Sequence, residues 1–443
     1  MLNKVEFRSL RLFGLAIAAS CVLATGAQAG PYILVDYASG KVIAESDAGA
    51  PWHPASVTKL MTTYLAFRAM RERRAEPLTL LKVSENAVAQ PPSKMGFKAG
   101  TEVTLDNAIK MLMVRSANDI AVVIAEGLAG SVQAFAHEMN ATAGKLGMSG
   151  TRFVNPHGLP EELQVTTARD MAILARALIS EFPEYELYFR IPAIQVGKRV
   201  IRNHNRLIGR YAGADGMKTG FICSSGFNVV AGAQRGGRRL IAVVFGAYSA
   251  AQRSEDAAFL FERGFRSDLM ANEIGTLDQI RNVHAAPHDM RDEMCNPKRR
   301  RPAAESSIEE EDEEPIEANA GSKPDPKAKA SAKDKKRLSL LGDLHDSMPP
   351  IRVFTGLPSK TPEAEIATTR EAPKQAEKKK APAKTATAKV ETAKSDAKKV
   401  ETKKAETKKT DAPKTAQAGA ATTAKPPVLM AKPKEPAKQP QKQ

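Results

Sequence analysis

The chain has 443 residues and a formal net charge of +16. Apolar periodicity is confined to residue 30 through about residue 268, enough for one substantial core and not for the two or three domains the length alone would allow. Three cysteines exclude a disulfide scaffold, and no pairing of Cys with His suggests zinc, so neither a metal nor a cofactor is expected.

Residues 1–29 read as a secretory leader. Lys4, Arg8 and Arg11 form a positive start, Leu12 to Ala24 is uncharged and too short to span a bilayer, and Ala27-Gln28-Ala29 fits small-residue cleavage. A chain exported this way, to the periplasm or cell envelope, has little access to nucleic acid. Cys21 would leave with the leader.

The folded part then runs in short periodic pieces. Tyr32–Asp36 and Val42–Glu45 flank Ala38-Ser39-Gly40-Lys41 and predict a hairpin. Ser56–Arg71 has helical spacing, with Leu60, Tyr64, Leu65 and Phe67 near one face. Leu105–Val114, Asp119–Leu128 and Val132–Leu146 predict three further helices, the last stopped by Gly147. Thr167–Ile179 predicts another, with Thr167 and Asp170 as a variant capping box. Phe227–Ala233 and Leu240–Gly246 predict strands joined at Gly236-Gly237, and Ser254–Phe265 a closing helix. Strands at both ends with helices between them predict an α/β sandwich whose sheet is mostly antiparallel.

Beyond residue 268 the character changes. Residues 269–300 are mixed and read as an extension. Residues 301–443 read as a disordered tail, acidic from Ile308 to Glu317 and then rich in Lys, Ala and Pro. A weakly apolar island lies at Leu338–Leu357. From Glu371 to Gln443 the basic residues are all Lys, with a Lys-Lys-x-Glu-Thr unit repeated near Lys398–Lys409, so most of the positive balance belongs to the tail. Such a tail serves either as an electrostatic attachment to an anionic envelope polymer or membrane surface, or as a solvated spacer.

Three short motifs carry the chemistry. In Ser56-Val57-Thr58-Lys59 the hydroxyl and the amine lie one helical turn apart. Serine is a weak nucleophile until a base removes its proton, and a lysine is that base only when burial or another cation, here Lys218, disfavours the ammonium form. Ser116-Ala117-Asn118 sits between two helices, where Ser116 would pass a proton to a leaving amine and Asn118 would hold a substrate amide. Lys218-Thr219-Gly220 opens a strand after the turn at Gly213–Gly216, able to pair with an extended peptide, and the N–H of Phe221 would join that of Ser56 as an oxyanion hole. Each motif alone is ordinary; their order, at element boundaries behind a leader, is not.

The set resembles that of the penicillin-binding proteins, and most closely the low-molecular-mass serine D-alanyl-D-alanine carboxypeptidases. Pro54 to Thr62 is similar to their nucleophile segment, Asn155-Pro156-His157-Gly158-Leu159 to their His-Gly-Leu loop, and Asp215 to Phe221 and Arg239 to Val244 to two further segments. The resemblance covers about residues 31–268. It implies a β-lactamase/transpeptidase-like fold and a serine hydrolase that removes the terminal D-alanine of peptidoglycan stem peptides and is acylated by β-lactams. It also implies Ser56 as nucleophile with Lys59, Ser116, Asn118 and Lys218 around it, a substrate carboxylate held by Thr219 and Arg253 beside Gly220 and Phe221, and His157 near the cleft. An endopeptidase cutting crosslinks and a non-catalytic wall-binding protein remain alternatives. Ala117 replaces the Gly many relatives carry, and Ile222 replaces a hydroxyl residue after Lys-Thr-Gly-x. Cys223, next in line, reads as a small packed residue more readily than as a reactive thiol.

Overall fold

In a computed structural model the residues described are 30–267, 274–298, 339–345 and 348–358; the leader and most of the tail lie outside them. Strand β1 (Tyr32–Asp36) turns antiparallel into β2 (Lys41–Ser46). The helical block follows: α1 (Lys59–Arg71), β3 (Leu80–Lys82), α2 (Glu85–Val88), β4 (Glu102–Thr104), α3 (Leu105–Val114), α4 (Asn118–Ala129), α5 (Val132–Leu146), α6 (Ala168–Glu181) and α7 (Leu187–Arg190). The chain returns through the hairpin β5 (Ala193–Val196) and β6 (Arg199–Arg202), then β7 (Lys218–Ile222), β8 (Gly226–Arg235), β9 (Arg238–Ala247) and α8 (Ala250–Arg266). Three short elements complete it: β10 (Gly275–Thr276), α9 (Arg291–Met294) and β11 (Ile351–Val353).

The main sheet has the order β10-β2-β1-β9-β8-β7, and every pairing in it is antiparallel. Its strands alternate between two cores, as the period-2 geometry of a strand dictates. Val230, Ile241, Val243 and Phe245 face the helical block, whereas Val229, Ala231, Leu240, Ala242 and Val244 face α8. This is the expected sandwich, with β7 left as an edge strand.

The helix boundaries follow local chemistry. Thr104, Ser131 and Thr167 accept backbone N–H groups at the starts of α3, α5 and α6, and Gly130 and Gly147 end α4 and α5 in the left-handed region. One predicted helix differs: Ala55–Thr58 is a 3-10 turn and the α-helix begins at Lys59. In a 3-10 turn residues i and i+3 eclipse, which brings Ser56 closer to Lys59 than an α-helical start would.

The later chain adds detail to one expectation and corrects two. The extension is part of the fold: β10 lengthens the sheet, Leu277, Met290 and Met294 are buried, and Trp52 stacks on His288 with ring centroids 5.6 Å apart. Cys223 is not a packed thiol but forms a disulfide with Cys295 across 72 residues. Sequence separation says nothing about distance once Met290 N–H donates to Ser224 O at 3.1 Å and brings the two segments together. Closing a loop of that length removes about 4 kcal/mol of unfolded-state entropy. Finally, the island at Leu338–Leu357 does not belong to a disordered tail where it is described. Val353 is buried in the main core and β11 pairs in parallel with β5. Composition predicted disorder because too few apolar residues occur locally; docking onto a core built elsewhere removes that requirement.

Candidate functional site

The site forms where the 3-10 turn meets the edge strand. Lys59 is fully buried, and its Nζ donates at 2.8 Å to Ser56 Oγ, at 2.8 Å to Asn118 Oδ1 and at 2.8 Å to the carbonyl of His157. Two of the three motifs and the His-Gly-Leu loop therefore converge on one amine. Asn118 is fixed in turn, its Nδ2 donating to Pro91 O at 2.9 Å and its backbone N–H to Ser93 O at 2.8 Å. Asp119 next to it accepts the N–H groups of Met95 and Gly96, so the segment over the start of α4 is pinned.

Strand β7 supplies the opposite wall. A Cβ added to Gly220 would lie 2.7 Å from Ser56 N, so the strand backbone rests against the amide of Ser56 itself. Lys218, two residues earlier, presents its side chain to the same face, opposite Val230 in the helical-block core. Lys218 is buried and its Nζ also donates to Thr219 O at 3.0 Å. Thr219 faces the other way, opposite Val229, towards the α8 layer that carries Arg253. Its Oγ1 is buried and meets no hydrogen-bond partner among the described residues. Arg253, 1% exposed, donates to Asn228 O at 3.5 Å and His204 O at 3.3 Å, with its guanidinium 5.7 Å from the centroid of Phe227. Phe221 stacks on Phe227 at 4.3 Å and closes the end of the strand.

Backbone strain marks the same three places. Ala55, Ser116 and Met217 have φ of 49°, 61° and 82°. Non-glycine residues in this region cost of order 1–3 kcal/mol each and persist where the surroundings over-determine them. One precedes Ser56, one is the Ser of the second motif, and one precedes Lys218.

His157 meets the site through its backbone. Its carbonyl reaches Lys59, while the ring is buried and its Nδ1 accepts the N–H of Leu159 at 3.2 Å. Desolvation first, and the neighbouring Lys59 charge second, push the imidazole down to about 3, so it is neutral at physiological pH. Gly158 explains the loop's tight approach. At φ +85° any Cβ would lie 1.8 Å from Ala55 O, so the loop packs directly on the strained residue before the nucleophile.

Two positioning residues escaped the sequence analysis. Asn228 Nδ2 donates to His53 O at 3.1 Å and Pro54 O at 3.3 Å, and its Oδ1 accepts Gly246 N–H at 3.0 Å. It ties the nucleophile segment to two strands. The signal was a single amide inside an otherwise apolar strand, Phe227–Ala233. Gln164 bridges Thr58 Oγ1 and the backbone of Val154 and Asn155, coupling the nucleophile turn to the His-Gly-Leu loop; no periodicity exposes such a residue.

Comparison with known proteins agrees with this arrangement. A family model described as D-alanyl-D-alanine carboxypeptidase matches residues 19–249. The chain is 37% identical over 256 residues to the D-alanyl-D-alanine carboxypeptidase DacC of Escherichia coli K12, covering 56% of this chain and 64% of that protein. It thus spans less than two thirds of the length of that curated relative. The crystal structure of penicillin binding protein 6B from Escherichia coli aligns with a TM-score of 0.52 at 35% identity, over 54% of this chain and 78% of that one. Penicillin-Binding Protein D2 from Listeria monocytogenes in its cefotaxime-bound form aligns with a TM-score of 0.50 at 30% identity, over 54% of this chain and 98% of that one. The chain belongs to the D-alanyl-D-alanine carboxypeptidase family.

Proposed function

We propose that the protein is a serine D-alanyl-D-alanine carboxypeptidase acting on peptidoglycan stem peptides. The observation that carries this reading is the single amine, Lys59 Nζ, hydrogen-bonded to Ser56 Oγ and Asn118 Oδ1 beside an edge strand. An extended D-Ala-D-Ala terminus adds to the outer edge of β7. Its carboxylate is held by Thr219 and Arg253, with Lys218 as a cation in the cleft.

In the reacting state Lys59 is the free amine: its two N–H groups stay on Asn118 Oδ1 and His157 O, its lone pair accepts the Ser56 O–H in place of donating to it, and Ser56 Oγ attacks the penultimate carbonyl as that proton passes to Nζ. The tetrahedral oxyanion is held by the N–H groups of Ser56 and Phe221. A proton returns through Ser116 to the leaving nitrogen, the C–N bond breaks, and free D-alanine departs. Water then attacks the Ser56 ester with Lys59 taking its proton, the acyl C–O bond breaks as Lys59 returns that proton to Ser56 Oγ, and the shortened stem peptide leaves with a new carboxylate. A β-lactam enters the same sequence at its ring amide and stays attached as an acyl-enzyme, because its cleaved amide cannot diffuse away. The leader supports export to the periplasm, where stem-peptide trimming bears on cell shape, and the Lys-rich tail supports attachment to an anionic envelope polymer or membrane surface.

Ser56→Ala is expected to abolish both D-alanine release from a D-Ala-D-Ala pentapeptide and covalent labelling by fluorescent penicillin, with the thermal unfolding midpoint preserved. Retention of either activity overturns the assignment.

A further inference from the structure

Two stretches far along the chain, residues 339–345 and 348–358, pack on the fold. They do not bind one layer. Ser339 Oγ contacts Glu255 on α8, and Leu340 N–H donates to the same carboxylate at 3.1 Å. Gly342 N–H donates to Arg210 O at 2.9 Å and His345 N–H to Gly209 O at 2.8 Å, both in the segment that leads into Lys218. Leu341 packs on the α8-facing core. The second stretch then crosses to the helical block. β11 pairs with β5, Val353 enters the main core, Phe354 O accepts Asn107 Nδ2 of α3 at 3.1 Å, and Gly356 N–H donates to Glu102 O of β4 at 2.7 Å.

Both anchored layers end at the site. The Gly209–Arg210 turn and α8 belong with Lys218 and Arg253; α3 ends beside Ser116. We propose that residues 339–345 and 348–357 are a docking peptide for a surface formed by the β5 edge, Asn107, the Gly209–Arg210 turn and Glu255, and that this strap sets the spacing of the two cleft walls. The occupant is the chain's own segment: its backbone completes the hydrogen bonding of the β5 edge, and Asn107, buried at the start of α3, spends its amide on the strap's Phe354 carbonyl. Attachment through one chain gives an effective concentration of about millimolar, so a contact too weak to capture a free peptide still stays docked in cis.

The test uses the full chain carrying Gly342→Pro, which removes the N–H given to Arg210, together with Val353→Asp, which removes the buried anchor. A milder variant, Ser339→Ala with Glu255→Ala, serves if the first fails to fold. In the wild type, amides 340–345 and 194–196 should exchange with deuterium slowly; in the variants they should exchange at least about tenfold faster. Acylation by fluorescent penicillin should slow about three- to tenfold, and in the Gly342→Pro, Val353→Asp variant a synthetic peptide of residues 338–358 at millimolar concentration should restore protection of amides 194–196 and the acylation rate, with the displaced strap's own amides staying fast.

Free-chain exchange rates at 340–345 in the wild type overturn the docking, and fast strap exchange with unchanged acylation overturns the coupling. Wild-type protection that depends on protein concentration means that a second copy is the occupant, and also overturns the proposal. The acylation arm rests on Ser56 as nucleophile, but a failure of that assignment would abolish labelling in wild type and variants alike and leave the exchange readout intact.

Discussion

The two walls of the cleft are built on opposite principles. On the helical wall Lys59 already spends its hydrogen bonds on Ser56, Asn118 and His157, and the imidazole of His157 is packed neutral behind them. On the strand wall the Thr219 hydroxyl is also buried and has no partner among the described residues. The groups proposed to move protons are therefore fixed by folding, beside three strained residues, while Thr219, proposed for recognition, is left for a ligand to complete. Rate then depends on the geometry of the first wall and of its contact with the second, and affinity on what the second wall lacks.

The sharpest way to break this comparison is at the contact between the walls. Gly220→Ala puts a methyl 2.7 Å from Ser56 N and 3.1 Å from both Val57 N and Ala55 Cβ, none of them the end of a flexible side chain. Nothing there yields cheaply, so β7 must move off the 3-10 turn and the two oxyanion donors must part. Acylation by penicillin and turnover of a D-Ala-D-Ala peptide should both fall about 100- to 1000-fold, the cost of one misplaced oxyanion donor. Stopped-flow labelling would measure it, and a loss below about fivefold would show that the walls are not held in register by this contact.

The saturated wall makes its own prediction in acid. His157 titrates near 3 in the folded protein and near 6.5 when unfolded, because burial, and then Lys59, oppose its protonation. The unfolded chain binds more protons between those values. The stability this group contributes is fully present above pH 6.5 and is lost as pH falls towards 3, amounting to about 3 kcal/mol by pH 4. Urea unfolding at pH 7 and pH 4 should therefore show a smaller acid loss for His157→Gln than for the wild type. An identical loss would mean that the ring is not held neutral by its surroundings.

Much of this was legible before any coordinates, and what was not follows a physical pattern. The motifs, the hairpins and the helices α3 to α6 are local: a capping Thr, a terminal Gly or a period of 2 or 3.6 announces them. The 3-10 turn at Ser56 is not, because it is imposed by Gly158 packing on Ala55 O and by Asn228 pulling on Pro54 O, two contacts over a hundred residues away. The disulfide and β11 were invisible for a related reason. Each is a short piece whose order depends on a surface built by the rest of the chain, so neither composition nor periodicity records it.

The smallest effect, and the most direct test of the open wall, is Thr219→Val. A buried hydroxyl without a partner costs about 1–3 kcal/mol of desolvation, so replacing it by a methyl of similar size should leave the unfolding midpoint unchanged or raise it. If that hydroxyl receives the terminal carboxylate, the same change removes a hydrogen bond to a charged acceptor, worth about 1.5–3 kcal/mol, and KM should rise roughly tenfold or more with kcat nearly constant. Stability and affinity would then move in opposite directions. A merely structural threonine would lose stability and leave KM alone, which would mean that the strand wall is as complete as the helical one and that the carboxylate is held by Lys218 and Arg253 without it.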